Sequence, residues 1–460
     1  MKRGILYVVL LTICAIPLHL PKTYAQDAET ACYDAGKIWD YETQECIVFS
    51  GMVIDIQYPI EYAAYPFAKA AIDEFIAELE DYYFSFMLDD SDLAFFIPYA
   101  WEAIATYTIY DLNPSIQTLV YNLYDYTGGA HGNGYYFTMT FDLENERILS
   151  LEDVFAPNAN FLPTISALVR ADLSARLVEM SDPEWIASGT SENIDNYQDF
   201  VLTPEGILFL FEPYQVAAYA AGPQESLVSW DALDGLVADN IVPTPSTREA
   251  IVVDEQSCLN VNMIFDYESQ ACKFYKGYIY RAVYPLELAN APTALAIVDE
   301  FLAQQEAELL AFMTSEEWQL FLPAPHESHS TYTLTHYDDN IFTLVYETYT
   351  YTDGVEGDFY YTTFTFDQDG QLLTLEDVFL PNADIVSIVA PLIDAQLSAY
   401  GLGWVDENAR NDLNSYRNFA LLPQGIQFFL DPDEVGASVE GSPQILIEWE
   451  ALNGTTQFGA

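Results

Sequence analysis

The sequence predicts an α+β fold made of two tandem homologous modules, each with helices packed on a mainly antiparallel sheet. Each module is preceded by a short disulfide-closed segment. Three observations carry this expectation: long motifs that occur twice in one order, alternating helical and strand periodicity, and two cysteine pairs of identical spacing. The chain has 460 residues, 51% hydrophobic and 15% aromatic, which is ample apolar side chain for packed cores.

The duplication is explicit. SLEDVFAPNA at 150–159 returns as TLEDVFLPNA at 374–383, and YTGGAHGNGYYFTMTFD at 126–142 returns as YTDGVEGDFYYTTFTFD at 351–367. NYQDFVLTPEGILFLFEP at 196–213 returns as SYRNFALLPQGIQFFLDP at 415–432. A spacing of about 220 residues marks whole modules rather than a solenoid repeat. The first module is expected over 26–242, with a disulfide segment at 32–46 and an α+β domain at 51–236. A linker rich in Pro, Ser and Thr follows over 243–255. The second module is expected over 256–460, with its disulfide segment at 258–272 and its domain at 277–452. Each module is expected to fold around its own core.

The elements follow in chain order. Residues 1–25 read as a signal peptide, with the basic start Met1-Lys2-Arg3, an apolar stretch over 5–20 and a small residue at Ala25. That predicts an exported protein, periplasmic or extracellular, and no later segment is long and apolar enough to span a membrane. Four cysteines then remain. An exported chain with an even count predicts the pairs Cys32–Cys46 and Cys258–Cys272. Ile72, Phe75, Ile76, Leu79 and Tyr83 recur at three and four, which predicts a helix over about 66–88. Runs rich in Tyr, Thr, Phe and Val at 105–110, 118–126 and 135–142 predict strands. Glu152 and Asp153, repeated as Glu376 and Asp377, are expected to cap and turn the chain. A second helix is expected over 162–178; its counterpart contains Pro391, which should start or kink that helix. Strands at 207–211 and 227–230 close the module.

Charge and motif content restrict the function. Against 71 acidic residues stand 14 basic ones, a formal charge of −57, and loss of Lys2, Arg3 and Lys22 with the leader takes it to −60. Such a surface repels phosphate backbones and anionic lipid, which excludes nucleic acid and leaves cationic partners. No nucleophile elbow, zinc-protease helix motif or phosphate loop is present, and no carboxylate pair stands out by spacing. A non-catalytic protein without a cofactor is therefore expected. His326, His329 and His336 are the only, weak, metal candidates. On one strand, His329 and His336 would face opposite sides. The 34 tyrosines are expected mostly at half-buried sheet positions, with exposed ones offering rigid amphipathic contacts.

Tyr58-Pro59, the loop Tyr-Thr-Gly-Gly-Ala-His-Gly (126–132), Leu-Glu-Asp-Val-Phe (151–155) and Tyr-Ala-Ala-Gly-Pro-Gln (219–224) occur in that order. This set resembles the secreted domain of RsiV-type anti-sigma factors, also found beside PdaC-type peptidoglycan deacetylases. The resemblance implies an envelope-facing binding module and, from the RsiV-type members, a cationic protein such as lysozyme as partner. A cell-wall glycan is the alternative partner, and an unrecognised envelope hydrolase a third reading. The second copy departs at the loop: Gly128, Ala130 and His131 become Asp353, Val355 and Glu356, and Tyr219 becomes Ser438. Binding is therefore expected in the first module, at Tyr126, Gly128, Gly129, His131, Asn133, Tyr135 and Tyr219.

Overall fold

The longest strand of each repeat starts at the second cysteine of its pair, and these two strands lie side by side at the centre of one sheet. A computed structural model describes residues 22–88, 99–244, 251–315, 324–352, 357–399, 401–405, 407–435, 442–452 and 454–459. The predicted leader lies outside the described residues except for 22–25. Much of the predicted linker, 245–250, lies outside them too.

The first repeat opens with α1 (Lys22–Asp34), β1 (Ile38–Asp40), β2 (Glu45–Tyr58) and α2 (Pro66–Leu88). The strands β3 (Trp101–Asp111), β4 (Ile116–Tyr126), β5 (Asn133–Asp142) and β6 (Arg147–Leu149) follow. Then come α3 (Leu162–Arg176), α4 (Pro183–Gly189), β7 (Phe200–Leu202), β8 (Gly206–Phe211) and β9 (Gln224–Ser229). The second repeat begins with α5 (Glu255–Leu259), β10 (Ile264–Asp266), β11 (Ala271–Val283) and α6 (Pro292–Met313). It continues through β12 (His326–His336), β13 (Phe342–Tyr351), β14 (Asp358–Phe366), β15 (Leu372–Leu373), α7 (Leu375–Val378) and α8 (Ile385–Ala399). It closes with α9 (Glu407–Arg410), β16 (Phe419–Leu422), β17 (Gly425–Phe429), α10 (Pro432–Val435) and β18 (Gln444–Glu448). The α+β class follows directly from this order. Among the described residues no helix is long and apolar enough to cross a membrane.

The main sheet runs β15-β14-β13-β12-β11-β2-β3-β4-β5-β6, with β1 on β2 and β10 on β11. It is antiparallel except for β2 with β3 and β11 with β12. The β2–β11 register pairs Met52 with Tyr278, which occupy the same position in the two repeats, six residues past the second cysteine. The junction is therefore a local pseudo-two-fold: Gly51 faces Ile279 while its equivalent Gly277 faces Val53. Both glycines sit in close quarters. A Cβ at Gly51 would sit 3.1 Å from Ala100 Cβ, and one at Gly277 would sit 3.1 Å from the Met52 carbonyl oxygen.

Alternation along the two strands sends Met52, Ile54, Ile56 and Tyr58, with Tyr278, Tyr280, Ala282 and Tyr284, to one face. Helices α2 and α6 cover it with Ile72, Phe75, Ile76, Val298, Leu302 and Leu309. The expectation of a separate core in each module is corrected here, because this largest cluster draws on both repeats. The two next largest cores each lie within a single repeat. Ile165, Val169 and Leu173 of α3 pack with Phe209 and Phe211 of β8, and Val389, Ile393 and Leu397 of α8 pack with Ile426 and Phe428 of β17.

Both predicted disulfides are present, Cys32–Cys46 and Cys258–Cys272. Asp153 and Asp377 close capping boxes with Ser150 and Thr374, as the repeated Glu-Asp motif implied. Pro391 departs from expectation and lies inside α8. Its ring is exposed, and the buried row Ile385, Val389, Ile393 and Leu397 holds the helix on the core. That packing offsets the roughly 3 kcal/mol cost of an interior proline. The three histidines all fall on β12 but do not converge. His326 is buried against Phe312, His329 Nε2 meets Glu327 Oε2 at 3.1 Å, and His336 lies beside Phe342 at the far end.

The close approach at the junction makes a direct expectation. Gly277→Leu should destabilise the protein by about 1–3 kcal/mol through overpacking. Gly403→Leu, where no atom lies within 4 Å of the added Cβ, should stay within about 0.5 kcal/mol of the parent. Denaturant unfolding of the two variants measures both.

Candidate functional site

The β4–β5 hairpin places the glycine-rich loop at one end of the first repeat. Gly128 and Gly129 take φ of 98° and 103°, conformations that suit glycine, and so reverse the chain without strain. Gly132 is fixed by space instead: a Cβ there would collide with the Asp125 carbonyl and the Tyr124 ring. Its equivalent Gly357 faces the ring of Tyr349 in the same way, so this part of the hairpin is common to both repeats.

The loop then delivers His131 to a second element. Tyr219, on the single helical turn Tyr219–Ala221, donates its hydroxyl to the Gly132 carbonyl at 2.6 Å. The His131 and Tyr219 rings stack with centroids 4.0 Å apart and planes at 20°. Tyr214 extends the row, its centroid 5.7 Å from Tyr219. Tyr214 is 51% exposed, and holds a φ of 72° that is costly for an aromatic residue. Trp185 Nε1 donates to its carbonyl at 2.7 Å and fixes that turn. The result is a shelf of three aromatic rings in which His131 and Tyr214 are exposed and Tyr219 is half-buried.

The other predicted residues fall close by with distinct roles. The Tyr126 hydroxyl donates to the Gly129 carbonyl at 3.0 Å and braces the loop. Asn133 donates to Asp125 Oδ1 at 3.4 Å, while Tyr83 from α2 donates to Asp125 Oδ2 at 3.1 Å. Asp125 is thereby buried and ordered beneath the hairpin. Tyr135 is 38% exposed, and its phenol is pushed above the usual range by burial and by the charges of Asp125 and Glu212. The structure thus joins His131 and Tyr219 directly. Tyr126, Gly128, Gly129 and Asn133 shape and brace the loop, and Tyr135 stands beside the carboxylates.

Two features escaped the sequence reading. Tyr214 sits in Glu-Pro-Tyr (212–214), where the second repeat has Asp-Pro-Asp (431–433), a loss that parallels the loss of His131 and Tyr219. Asp199 and Glu212 are the second such feature. The outer edge of β5 pairs with β6 only over 140–142. Further up that edge, Asp199 accepts the amide of Thr138 and Glu212 accepts that of Tyr136. In the second repeat Asn418 stands where Asp199 stands and accepts the amide of Thr363 at 3.2 Å. Carboxyl groups here close a strand edge that would otherwise be open for pairing.

Comparison with known proteins places these elements. Residues 152–231 and 376–450 match the family described as a protein of unknown function, DUF3298, and residues 48–134 match the family Deacetylase PdaC. Peptidoglycan-N-acetylmuramic acid deacetylase PdaC of Bacillus subtilis is 26% identical over 133 residues, 29% of this chain and 28% of that protein. The chain thus spans little more than a quarter of that relative. Immunogenic protein MPT64 of Mycobacterium tuberculosis is 25% identical over 232 residues, 50% of this chain and 95% of that protein. A DUF3298 family protein from Pseudomonas aeruginosa, solved by crystallography, shares 17% identity over 43% of this chain and 96% of its own, with a TM-score of 0.34.

The carboxyl pair on β5 gives a pH test. Burial, and then the charge of Glu212, push Asp199 up to about 7 from an ordinary value near 3.8. Glu212 is raised too, by burial. The folded state holds these protons more tightly than the unfolded chain, so their contribution to stability falls as pH rises from about 4 through 7. Asp199→Asn, the residue of the second repeat, should match the parent's unfolding midpoint near pH 3.5 and exceed it increasingly up to pH 8. Thermal unfolding across that range reads the difference, and the slope that remains belongs in part to Glu212.

Proposed function

We propose that this chain is a non-catalytic binding protein of the cell envelope whose first repeat captures a cationic protein, lysozyme being the representative partner. The observation that carries this reading is the row of aromatic rings His131, Tyr219 and Tyr214 on a strongly acidic chain. Exposed aromatic rings on an acidic surface suit a lysine or arginine side chain, through cation–π contact and the attraction of the surrounding field.

The charge distribution supports it further. Lys37, Lys69, Arg147, Arg176, Lys273, Lys276, Arg281 and Arg410 all stand in ion pairs with carboxylates of this same chain. These eight bases are neutralised within the chain, and 71 acidic residues far outnumber the 14 basic ones. Such a field accelerates encounter with a basic protein, while the shelf supplies the shape that charge alone lacks. The disulfides fit an exported protein, and the matches to PdaC and DUF3298 support a role at the cell wall.

The second reading is a cell-wall glycan. The stacked shelf favours it, because sugar rings also lie flat on exposed aromatics.

Calorimetry of lysozyme against the full chain, with cytochrome c as a basic control, tests the first reading. Lysozyme is expected to bind at moderate salt and cytochrome c far more weakly. His131→Glu with Tyr219→Ser installs the second repeat's residues and should weaken lysozyme binding about tenfold or more, the scale of losing one anchor. Equal binding of both proteins, abolished by salt and untouched by the substitutions, would reject the reading. Co-sedimentation with peptidoglycan lost in the same variant, without lysozyme binding, would favour the glycan.

A further inference from the structure

The junction between the repeats is backbone-symmetric but electrically one-sided. Across it, Arg281 of the second repeat meets Asp40 and Glu45 of the first at 3.1 and 3.0 Å. Lys273 meets Asp55 at 2.8 Å and Asp266 of its own repeat at 3.0 Å, and Lys276 meets Glu80 on α2 at 2.5 Å. One pair runs the other way: Lys37 meets Asp299 on α6 at 3.2 Å and lies over the Tyr284 ring. The strand cations all come from the second repeat.

Counting from each second cysteine, the first repeat holds Ile47, Ser50 and Asp55 where the second holds Lys273, Lys276 and Arg281. The pseudo-two-fold register would let two first repeats pair through β2 as readily, so far as the backbone is concerned. Their side chains forbid it. Asp55 would stand in the place of Arg281, against Asp40 and Glu45, and Glu80 would face Ser50. Carboxylates that are partly buried in this junction would have no counter-ion, a costly arrangement.

We propose that Lys273, Lys276 and Arg281 are specificity determinants that restrict β2 to a partner carrying the second repeat's strand. That partner is the other half of the same chain or, by exchange, the second repeat of another copy. The inference is independent of what the aromatic shelf binds.

The full-length protein with a protease site inserted between Thr244 and Ile251 provides the test. Isotopically light and heavy preparations, cleaved after folding with their disulfides intact, are unfolded and refolded together and weighed by native mass spectrometry. Every pair should contain one first half and one second half, with light and heavy halves mixed. First-with-first pairs at their statistical share, or halves that do not associate, would overturn the proposal. In the uncut chain, Glu80→Lys and Lys276→Glu should each lower the folding equilibrium about tenfold, and the double swap should recover most of it. Lys273→Ile, which installs the residue of the first repeat, should give a similar loss with circular dichroism unchanged. Single variants equal to the parent, or a double swap no better than the sum of its singles, would refute the role of these charges.

Discussion

Strand β2 lying antiparallel against β11 is the contact on which the rest of the molecule depends. Twelve consecutive pairings, from Ile47 with Val283 to Tyr58 with Cys272, turn two half-sheets into one. Without that pairing each half would expose a long apolar edge, a hazard that folded proteins avoid. The largest core would also lose one of its two walls, because α2 and α6 pack over neighbouring parts of the same face. The disulfides serve the same place. Cys46 and Cys272 each anchor the first residues of a central strand, and the hairpins they close reach across the junction.

Sharing one sheet leaves the two ends of the molecule free to diverge. The hairpin geometry around Gly132 and Gly357 is kept in both repeats. The aromatic shelf belongs to the first alone, because His131, Tyr214 and Tyr219 have lost their counterparts. The edge of β5 shows a smaller divergence of the same kind. Asp199 and Asn418 make one hydrogen bond to equivalent threonine amides, yet only the acid carries a proton that depends on pH.

Local features were legible in the sequence. Helical spacing located α2 and α3, strand patterning located β3 to β5, and fourteen-residue cysteine spacings located both disulfides. Long-range features were not. Strand β2 has glycine at its midpoint and is half covered by another repeat, so its periodicity resembles no isolated amphipathic strand. Its partner lies more than two hundred residues away, and nothing local encodes that choice except the placement of a few charges. The loop residues His131 and Tyr219 could be singled out as differences between the repeats. Tyr214 could not, because its role depends on a turn at positive φ that brings it beside Tyr219. Pro391 is tolerated inside α8 because propensity speaks for an isolated helix, whereas α8 is held by the buried side chains beneath it.

The central claim is that the two repeats form one cooperative unit around β2 and β11. Hydrogen-exchange mass spectrometry on the full-length protein tests it most directly, since it reports which strands open together. Peptides covering 47–58 and 272–283 are expected to share the slowest exchange in the protein and to respond equally to mild denaturant. Exchange of one strand well before the other, with each repeat opening as its own unit, would contradict it.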